Sequence, residues 1–348
     1  MSVLITGAAG FIGSSLASAL LGENNLQRLT LTDLAKPSVP EPRRLTPVSF
    51  ARVARSDTTQ VKLLAADLTK QGDVNTLLDL ILDNSRVKLS LVYILHGLMS
   101  GDSEANHALS VKVNIEATIN LLTTLRQRCS GVRVVYASSC AVFGPQDQDS
   151  QGQKTKVVSE STFPQPTGTY GTHKVMMEHF IEDLSRRGEI DARIIRLPTV
   201  IVRAGRPTGA ASSFASGMFR EPLQGIKSIL PVRRDLEIWI CSARTVIRNL
   251  ILAGRIDEQL FKKEDSRLLL LPGRLVTVQD MIDALEKVGG ADAVALLDER
   301  IDGDVVRIVE GWVTRISVAR ARSLSFVEDV PLQDTIREFV EDYLGDPN

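Results

Sequence analysis

A tyrosine and a lysine stand four residues apart near the middle of the chain, at Tyr170 and Lys174. Residues at that spacing share one face of a helix, one turn apart. An ammonium beside a phenol favours the phenolate, so we predict that Lys174 lowers the pKa of Tyr170 and that Tyr170 acts as an acid and base. Ser139, at the end of a predicted strand, is placed to bind and orient the reacting oxygen.

A glycine-rich turn at the front of the chain, Gly7-Ala-Ala-Gly10-Phe-Ile-Gly13, indicates a dinucleotide site. Gly7 permits a tight turn, Gly10 lets the backbone approach a pyrophosphate, and Gly13 lets the next helix pack closely. Asp33 stands 20 residues after Gly13, where a carboxylate binds ribose hydroxyls and repels a 2′-phosphate. With the Tyr and Lys, these residues predict hydride transfer with NAD, although such a turn also serves as a plain strand-to-helix connection and Asp33 as a turn cap.

The elements that position these groups alternate between apolar strands and amphipathic helices. We predict strands at residues 3–6, 28–32, 61–66, 91–95, 132–137 and 192–196, and helices at 11–21, 74–82, 104–128 and 169–187. This alternation is typical of the α/β class, with a Rossmann-type doubly wound parallel sheet that binds ligands at the carboxyl ends of its strands. Polar or special residues fall at five of those ends: Asp33, Asp67, His96, Ser139 and Pro198.

The rest of the chain is less regular. Residues 36–60 and 145–166 are rich in proline and polar residues and are predicted to be a surface excursion and a loop. Beyond residue 200 the alternation weakens, and strands of a smaller lobe are predicted at 268–272 and 305–313. We therefore expect an NAD-binding domain over residues 1–200, and over 201–348 a mainly substrate-binding α/β lobe from which some segments return to the first domain.

Composition excludes several classes of function. A net charge of −1 gives no electrostatic basis for binding nucleic acid or an anionic membrane. The three cysteines fit a reducing compartment, and no Cys/His grouping has the spacing of a metal site. The first strand begins too early to leave room for a leader, and the apolar runs are too short to cross a bilayer. We expect a cytoplasmic protein without a metal.

Three motifs together resemble the extended short-chain dehydrogenase/reductase superfamily, which includes nucleotide-sugar epimerases and dehydratases. They are the glycine turn, the Ala-Ser-Ser-Cys-Ala-Val-Phe-Gly segment from Ala137 to Gly144, and Tyr170-Gly-Thr-His-Lys174. The resemblance covers about the first 200 residues and implies that Ser139, Tyr170 and Lys174 are catalytic.

The same resemblance implies a set of cofactor contacts and an oligomeric state. The cofactor-binding positions that it implies are Gly7, Gly10, Phe11, Ile12, Gly13, Asp33, Asp67, Leu68, His96, Asn114, Tyr170, Lys174 and Pro198. Relatives commonly form homodimers through the long helix and the Tyr helix. Met176, Met177 and Phe180 on the Tyr helix would be that surface or simply core, and His173 is expected to face solvent.

A narrower resemblance, to the D-erythronate dehydrogenases, lies in the second half. It rests on Arg196-Leu-Pro-Thr-Val-Ile-Val-Arg203, on residues 210–217 and 220–223, on residues 239–244, and on Ser100-Gly101. That family oxidises a four-carbon sugar acid at C2 with NAD. Phe143 replaces the tyrosine usual in epimerases, and the Asn-Val-Tyr-Gly-Pro run usual after Pro198 is missing, which disfavours a bulky nucleotide sugar.

An acid substrate needs a cation for its carboxylate, best a planar guanidinium. Arg203, Arg206 and Arg244 are candidates, with Arg244 preferred because it follows an apolar run and is expected at the interface between the lobes. Each of them is also compatible with a solvated surface charge. The other candidates for substrate binding are Ser100, Ser139, Cys140, Thr199, Ser212 and Ser213.

Three functions stay open at this point. The first is an NAD-dependent dehydrogenase of a small sugar acid, which would release NADH. The second is a nucleotide-sugar epimerase or dehydratase, or a carbonyl reductase on the same scaffold, and an epimerase would retain its NAD. The third is a non-catalytic dinucleotide sensor, which loss of the Ser, Tyr or Lys would have indicated, but all three are present.

Overall fold

The computed structural model describes residues 1–46, 50–54, 56, 58–83, 87–146, 156–206, 210–261 and 266–345. In this part of the chain strands β1 to β14 are Ser2–Thr6, Arg28–Asp33, Arg43–Leu45, Phe50–Arg52, Gln60–Ala65, Leu91–Ile94, Arg133–Ser139, Asp191–Leu197, Thr199–Ile201, Ser228–Leu230, Glu237–Ser242, Leu268–Leu270, Arg274–Thr277 and Leu297–Glu299. Helices α1 to α13 are Phe11–Leu21, Gln71–Ile81, Ser100–Ala105, His107–Ser110, Ala117–Arg128, Thr169–Arg186, Ser213–Arg220, Ala243–Arg255, Glu258–Phe261, Val278–Val294, Gly303–Glu310, Ala319–Ser323 and Leu332–Phe339. Short 3₁₀ turns span Cys140–Val142 and Pro222–Gln224, and π-helical turns span Val111–Glu116 and Val340–Leu344.

A seven-stranded parallel sheet forms the centre, in the order β12-β8-β7-β6-β1-β2-β5. The α/β Rossmann-type fold predicted from the sequence is therefore confirmed, and six of the seven strands are those predicted. The seventh, β12, was expected in the smaller lobe, and that expectation is wrong. All three of its leucines are buried, and it pairs with β8 at the edge of the large sheet.

Both faces of the sheet are covered because its strands are apolar on both sides. In β1, Val3 and Ile5 face a core formed with α1 and α8, whereas Leu4 faces a second core formed with α2, α5 and α6. The carboxyl ends of β1, β2, β5, β6, β7 and β8 thus meet at one edge. The order reverses between β1 and β6, which is where such sheets bind ligands.

A second, smaller unit lies beyond β8. It contains the sheet β13-β11-β9 and a separate core that includes residues of α7, α10 and α13. The strand predicted at 305–313 is wrong, because residues Gly303–Glu310 form α11. The Asp302 side chain accepts the Asp304 and Val305 N–H groups as a helix cap, and the apolar residues Val305 and Val309 lie on one helix face.

The long helix predicted at 104–128 is interrupted. Its residues belong to α3, α4, the Val111–Glu116 π turn and α5. Asn106 interrupts the helix between α3 and α4, and its side chain accepts the Leu109 N–H. The π turn contains the buried side chain of Asn114. Such turns are frequent at functional sites.

The excursion predicted at 36–60 is partly a packed element. Its described residues include the β3–β4 hairpin, whose Phe50 belongs to the core beside α1, while residues 47–49, 55 and 57 lie outside the described part. A Cβ at Gly22 would lie 2.2 Å from the Arg43 carbonyl oxygen, so the hairpin packs directly on the end of α1. Of the loop at 145–166, residues 147–155 lie outside the described part. Within the described residues no helix combines the length and the apolar character that a membrane span requires.

Helix α13 is fastened to the first half of α8 through a buried polar cluster. Glu338 of α13 lies near Arg244 and Arg248 of α8, and near Asp329, which accepts the Ser242 N–H at 3.0 Å. Burial raises the pKa of Glu338 to about 7, against the attraction of the two guanidinium groups. Glu338 thus keeps its proton in the folded protein at mildly acidic pH.

We predict that Glu338→Gln changes how stability depends on pH. Between about pH 4.5 and pH 7 folded Glu338 binds a proton that the unfolded chain releases, so its contribution to the free energy of unfolding declines as pH rises through that window. Glutamine cannot ionise, so the variant should gain on the order of 3 kcal/mol relative to the parent between pH 5 and pH 8. Urea unfolding at both pH values measures this, with the exposed Glu286→Gln as control. An equal difference at both pH values would contradict a protonated Glu338.

Candidate active site

Two adjoining cavities open along the carboxyl edge of the large sheet. The long cavity has a volume of about 530 Å³, and its lining includes Gly7, Gly10, Phe11, Ile12, Gly13, Asp33, Asp67, Leu68 and His96. The inner cavity has a volume of about 200 Å³, and its lining includes Ser100, Ser139, Cys140, Tyr170, Lys174, Pro198, Thr199 and Ser212. Ile12, Leu95, Met99 and Arg203 border both cavities. The predicted cofactor and catalytic residues therefore gather around one continuous space.

Two of the three glycines in the glycine turn, Gly7 and Gly13, lie too close to neighbouring backbone to carry a side chain. Gly7 has a φ of +67°, and a Cβ there would lie 2.7 Å from the His96 backbone nitrogen. A Cβ at Gly13 would lie 2.2 Å from the Gly7 carbonyl oxygen. Helix α1 then begins without a side-chain cap and without an acidic residue in its first turn. Its free N–H groups and positive end make this a site for an anion such as a pyrophosphate.

Asp33 caps the turn around it and also lies at the long cavity, where its predicted contact with a ribose stays a prediction. One carboxylate oxygen accepts the Ala9 N–H at 2.9 Å, and the other accepts the Leu34 N–H at 2.8 Å. The side chain thus braces the glycine turn and also lines the long cavity. At the next strand end, Asp67 accepts two hydrogen bonds from Thr69, and the hydroxyl donor lowers the pKa of its carboxyl.

His96 and Asn114 shape the wall of the long cavity. His96 lies between two hydroxyl groups, with Nδ1 2.8 Å from Thr6 Oγ1 and Nε2 3.2 Å from Thr118 Oγ1. Burial lowers the pKa of His96 to about 3, so its ring is neutral. Asn114 lies behind the wall, and its Oδ1 accepts the Leu98 N–H at 2.7 Å. It acts on the cavity by holding the loop after β6.

The predicted catalytic residues converge in the inner cavity from two elements. Ser139 ends β7, while Tyr170 and Lys174 lie in the first two turns of α6. The Tyr170 hydroxyl shares a hydrogen bond with Ser139. Lys174 Nζ donates to the Ala137 carbonyl at 2.7 Å and lies 5.5 Å from the centroid of the Tyr170 ring. One oxygen in the cavity can therefore reach both hydroxyl groups.

The expected lowering of the Tyr170 pKa is not found. Tyr170 keeps part of its surface accessible from the cavity, but desolvation of its hydroxyl raises its pKa to about 12, against the opposing hydrogen bond with Ser139. Desolvation also lowers the pKa of Lys174 to about 8. The Lys174 ammonium donates its hydrogen bond to the Ala137 backbone carbonyl instead of to the phenol oxygen. Tyr170 is thus a neutral phenol at pH 7 in this state of the protein.

A buried ion pair that sequence reasoning missed lies directly behind Lys174. Glu178, one turn further along α6, receives Arg196 Nε at 2.9 Å and Nη2 at 2.6 Å in a bidentate pair, and it also accepts the Ser138 hydroxyl. Both ionic side chains are almost fully buried. The spacing in the sequence could have placed Glu178 beside Lys174, since it follows Lys174 by four residues on the same helix face, but it gives no indication of the Arg196 partner. The pair ties α6 to the ends of β7 and β8, and the Glu178 charge raises the pKa of Lys174 against the effect of burial.

His173 does not face solvent as expected. It is 4% exposed, and its Nδ1 lies 3.0 Å from the Ser110 hydroxyl, because α4 and the following π turn cover that side of α6. Of the apolar candidates on the same helix, Met177 is core, whereas Met176 is 48% exposed.

The candidate arginines separate into three positions. Arg203 borders both cavities, and its Nη2 donates to Ser212 Oγ at 3.3 Å. Among the described residues it has no carboxylate partner, and burial lowers the pKa of its guanidinium. Arg206 and Ser213 line only the long cavity.

Arg244, the preferred candidate, lines neither cavity. Its guanidinium is bound to Asp342 at 2.8 and 3.0 Å and to Glu341 at 2.8 Å. Its partners follow it by almost 100 residues, so no local pattern could have revealed the pairing. Trp239 and Trp312 form part of the wall of the inner cavity, a position that the sequence did not predict for either residue.

The long cavity suits a dinucleotide such as NAD. Its glycine turn leaves no room for a side chain at Gly7 or Gly13, the uncapped end of α1 supplies anion-binding N–H groups, and Asp33 stands at the end of the neighbouring strand β2. Its volume lies in the range of well-formed ligand sites, about 300–1,000 Å³.

Comparison with known proteins agrees with this geometry. The model of the NAD dependent epimerase/dehydratase family matches residues 3–251. The D-erythronate dehydrogenases of Cupriavidus necator and Haemophilus influenzae are 35% and 32% identical to this chain, over 98% of it in both cases and over 98% and 99% of those proteins. The crystal structure of the nucleoside-diphosphate-sugar epimerase from Agrobacterium tumefaciens superposes with a TM-score of 0.82 at 32% identity, covering 99% of this chain and 95% of that one.

The superfamily resemblance noted in the sequence is thereby confirmed. The family model spans six of the seven strands of the large sheet, the glycine turn and the Tyr and Lys positions, and its description names the cofactor as NAD. The chain belongs to the NAD-dependent epimerase/dehydratase family and is an NAD-dependent oxidoreductase.

Proposed function

We propose that this protein oxidises the C2 hydroxyl of a small sugar acid, of the D-erythronate kind, to the 2-oxo acid. The observation that carries the proposal is the position of Arg203. Its guanidinium, without a carboxylate partner in the described residues, borders the cavity that holds Ser139 and Tyr170. A carboxylate is the group that such a planar cation binds best. The names of the two relatives from C. necator and H. influenzae support the same substrate class.

The size of the inner cavity supports a small substrate. At about 200 Å³ it lies below the range typical for drug-sized ligands, and Trp239 and Trp312 form part of its wall. A four-carbon acid suits such a space, whereas a nucleotide sugar needs a further groove. The second candidate is a nucleotide-sugar epimerase or dehydratase, which the name of the A. tumefaciens relative supports.

The proposed chemistry uses the residues of the inner cavity in distinct roles. Bound NAD supplies the acceptor for the hydride that leaves C2. Arg203 binds the substrate carboxylate and so fixes which hydroxyl faces Ser139 and Tyr170. Ser139 holds the C2 oxygen through a hydrogen bond, and Tyr170, once deprotonated, takes the hydroxyl proton. Lys174, whose pKa of about 8 leaves it largely cationic at pH 7, stays bound to the Ala137 carbonyl and supplies a positive charge 5.5 Å from the Tyr170 ring, which favours the phenolate once the proton has left.

The wider organisation is part of the proposal. Residues 1–200 bind NAD and carry Ser139, Tyr170 and Lys174, and residues 201–348 mainly bind substrate, with α8 and β12 returning to the large sheet. The protein acts in the cytoplasm as a homodimer. The exposed apolar residues Met176 on α6 and Leu109 on α4 support a dimer contact on that side of the molecule.

NADH absorbance with a substrate panel tests the proposed reaction. The panel is D-erythronate, L-threonate, related aldonates, the uncharged polyol erythritol and a UDP-sugar. We expect NADH release with one four-carbon acid and none with erythritol. Arg203→Gln should raise the KM for that acid about 10- to 100-fold, as expected for loss of charge-assisted hydrogen bonds. Equal turnover of erythritol would contradict the role of Arg203, and epimerisation of the UDP-sugar with retained NAD would establish the second candidate.

Replacing Tyr170 by Phe tests the proton transfer. Tyr170→Phe keeps the ring and removes the acidic hydroxyl, so kcat should fall about 10²- to 10⁴-fold while the Kd for NAD stays nearly unchanged. Because the Tyr170 pKa is about 12 without ligands, the deprotonated fraction grows as pH rises, and oxidation by the parent protein should accelerate from pH 6 to about pH 7.5, where Lys174, with a pKa of about 8, still carries most of its charge. A near-normal kcat in the variant would exclude Tyr170 as the base.

Replacing Asp33 by Asn tests the preference for NAD over NADP. Asparagine keeps a carbonyl oxygen for a backbone N–H but removes the charge that repels a 2′-phosphate. The ratio of kcat/KM for NADP to that for NAD should rise about tenfold or more, equivalent to at least about 1.4 kcal/mol. Asp298→Asn, at an exposed ion pair far from the cavities, is the control. An unchanged ratio would leave Asp33 only its role of bracing the turn.

A further inference from the structure

The π-helical turn Val340–Leu344 holds a buried carboxylate that connects distant parts of the chain. The Asp342 side chain is 7% exposed and accepts Arg244 of α8 at 2.8 and 3.0 Å. Arg43 of β3 donates to the same carboxylate at 2.9 Å and to the Asp342 backbone carbonyl at 2.9 Å. A buried carboxylate between two guanidinium groups is held in one place, because releasing either partner leaves a charge desolvated.

The next residue, Tyr343, reaches the helix that follows the glycine turn. Its ring centroid lies 6.1 Å from that of Phe11, the first residue of α1, and its Oη lies 3.5 Å from Ser15 Oγ. Phe339 of α13 supports the Tyr343 ring from behind, at 5.7 Å between centroids. The turn thus packs against the first two turns of α1.

This contact lies directly beside the long cavity. Phe11 lines that cavity, and α1 begins there without a side-chain cap. Phe11 is only partly buried, so the α1 core does not fix its ring by itself. Aromatic pairs at this separation contribute beyond their buried area, and Tyr343 supplies that contact from outside the Rossmann sheet.

We propose that Asp342 and Tyr343 form a clasp that fixes the first turn of α1 and so sets the affinity for NAD. Both are positioning residues: Asp342 anchors the turn through Arg43 and Arg244, and Tyr343 transmits that anchorage to Phe11. The clasp accounts for the position of Arg244, which pairs with Asp342 and lines neither cavity. It does not depend on which substrate the protein oxidises.

The experiment measures NAD binding by the full-length protein without substrate, by calorimetry, together with the melting temperature. Tyr343→Ala removes the ring and should weaken NAD binding about tenfold. Tyr343→Phe keeps the ring and loses only a long hydrogen bond, so its Kd should stay within about twofold of the parent. Asp342→Asn should weaken NAD binding at least as much as Tyr343→Ala and lower the melting temperature.

Asp334→Asn, on the same C-terminal segment but in an exposed pair with Arg337, is the matched control and should leave the Kd for NAD unchanged. The proposal is overturned if Tyr343→Ala binds NAD like the parent, whatever happens to its melting temperature. It is also overturned if Tyr343→Phe loses as much affinity as Tyr343→Ala. Tyr343 is 41% exposed, so its variants should fold even if Asp342→Asn does not.

Discussion

Strands β1 and β6 can end side by side only if residue 7 has no side chain, because a Cβ there would lie within 3 Å of the backbone at Leu95 and His96. That close approach brings the glycine turn, the His96 loop and α1 together at the reversal point of the sheet. The loop is held from behind by Asn114, and the turn is held from the side by Asp33. The part of the long cavity formed by the glycine turn and the loop after β6 depends on this spacing of two backbones.

The inner cavity has cationic side chains in its wall, but its tyrosine is neutral at pH 7. Lys174 and Arg203 supply cationic groups, while Tyr170 is neutral at pH 7 because burial raises its pKa. His96, in the wall of the adjoining long cavity, is neutral because burial lowers its pKa. The Glu178–Arg196 pair lies outside the cavity and tempers the effect of burial on Lys174. An anionic substrate would therefore meet a positive field with neutral hydroxyl groups at its centre.

The sequence predicted best what local patterns determine. The strands of the large sheet and the helices up to residue 100, the glycine turn and the α6 residues follow from short hydrophobic periods and from motifs within a few positions, whereas the β3–β4 hairpin was not predicted. The errors come from long-range partners. Arg244 pairs with a carboxylate 98 residues away, and His173 is covered by an interrupted helix whose π turn has no simple sequence signature. The strand expected at 305–313 is largely the helix Gly303–Glu310, because the Asp302 side chain caps its start and Val305 and Val309 have helical spacing.

The position of α8 and β12 has a consequence for how the chain must fold. One face of the large sheet is covered by α1 together with α8, and one edge is completed by β12. Both α8 and β12 lie after residue 240 in the chain. A chain ending at residue 200 would lack α8 and β12, so that α1 alone would cover the side of β1 that carries Val3 and Ile5, and the edge of β8 would stay unpaired. Residues 1–200 therefore do not complete the large sheet and its covering layers without elements from the second half of the chain. A form of the chain in which these elements are not yet in place would present apolar surface and an unpaired strand edge, the two features that favour aggregation.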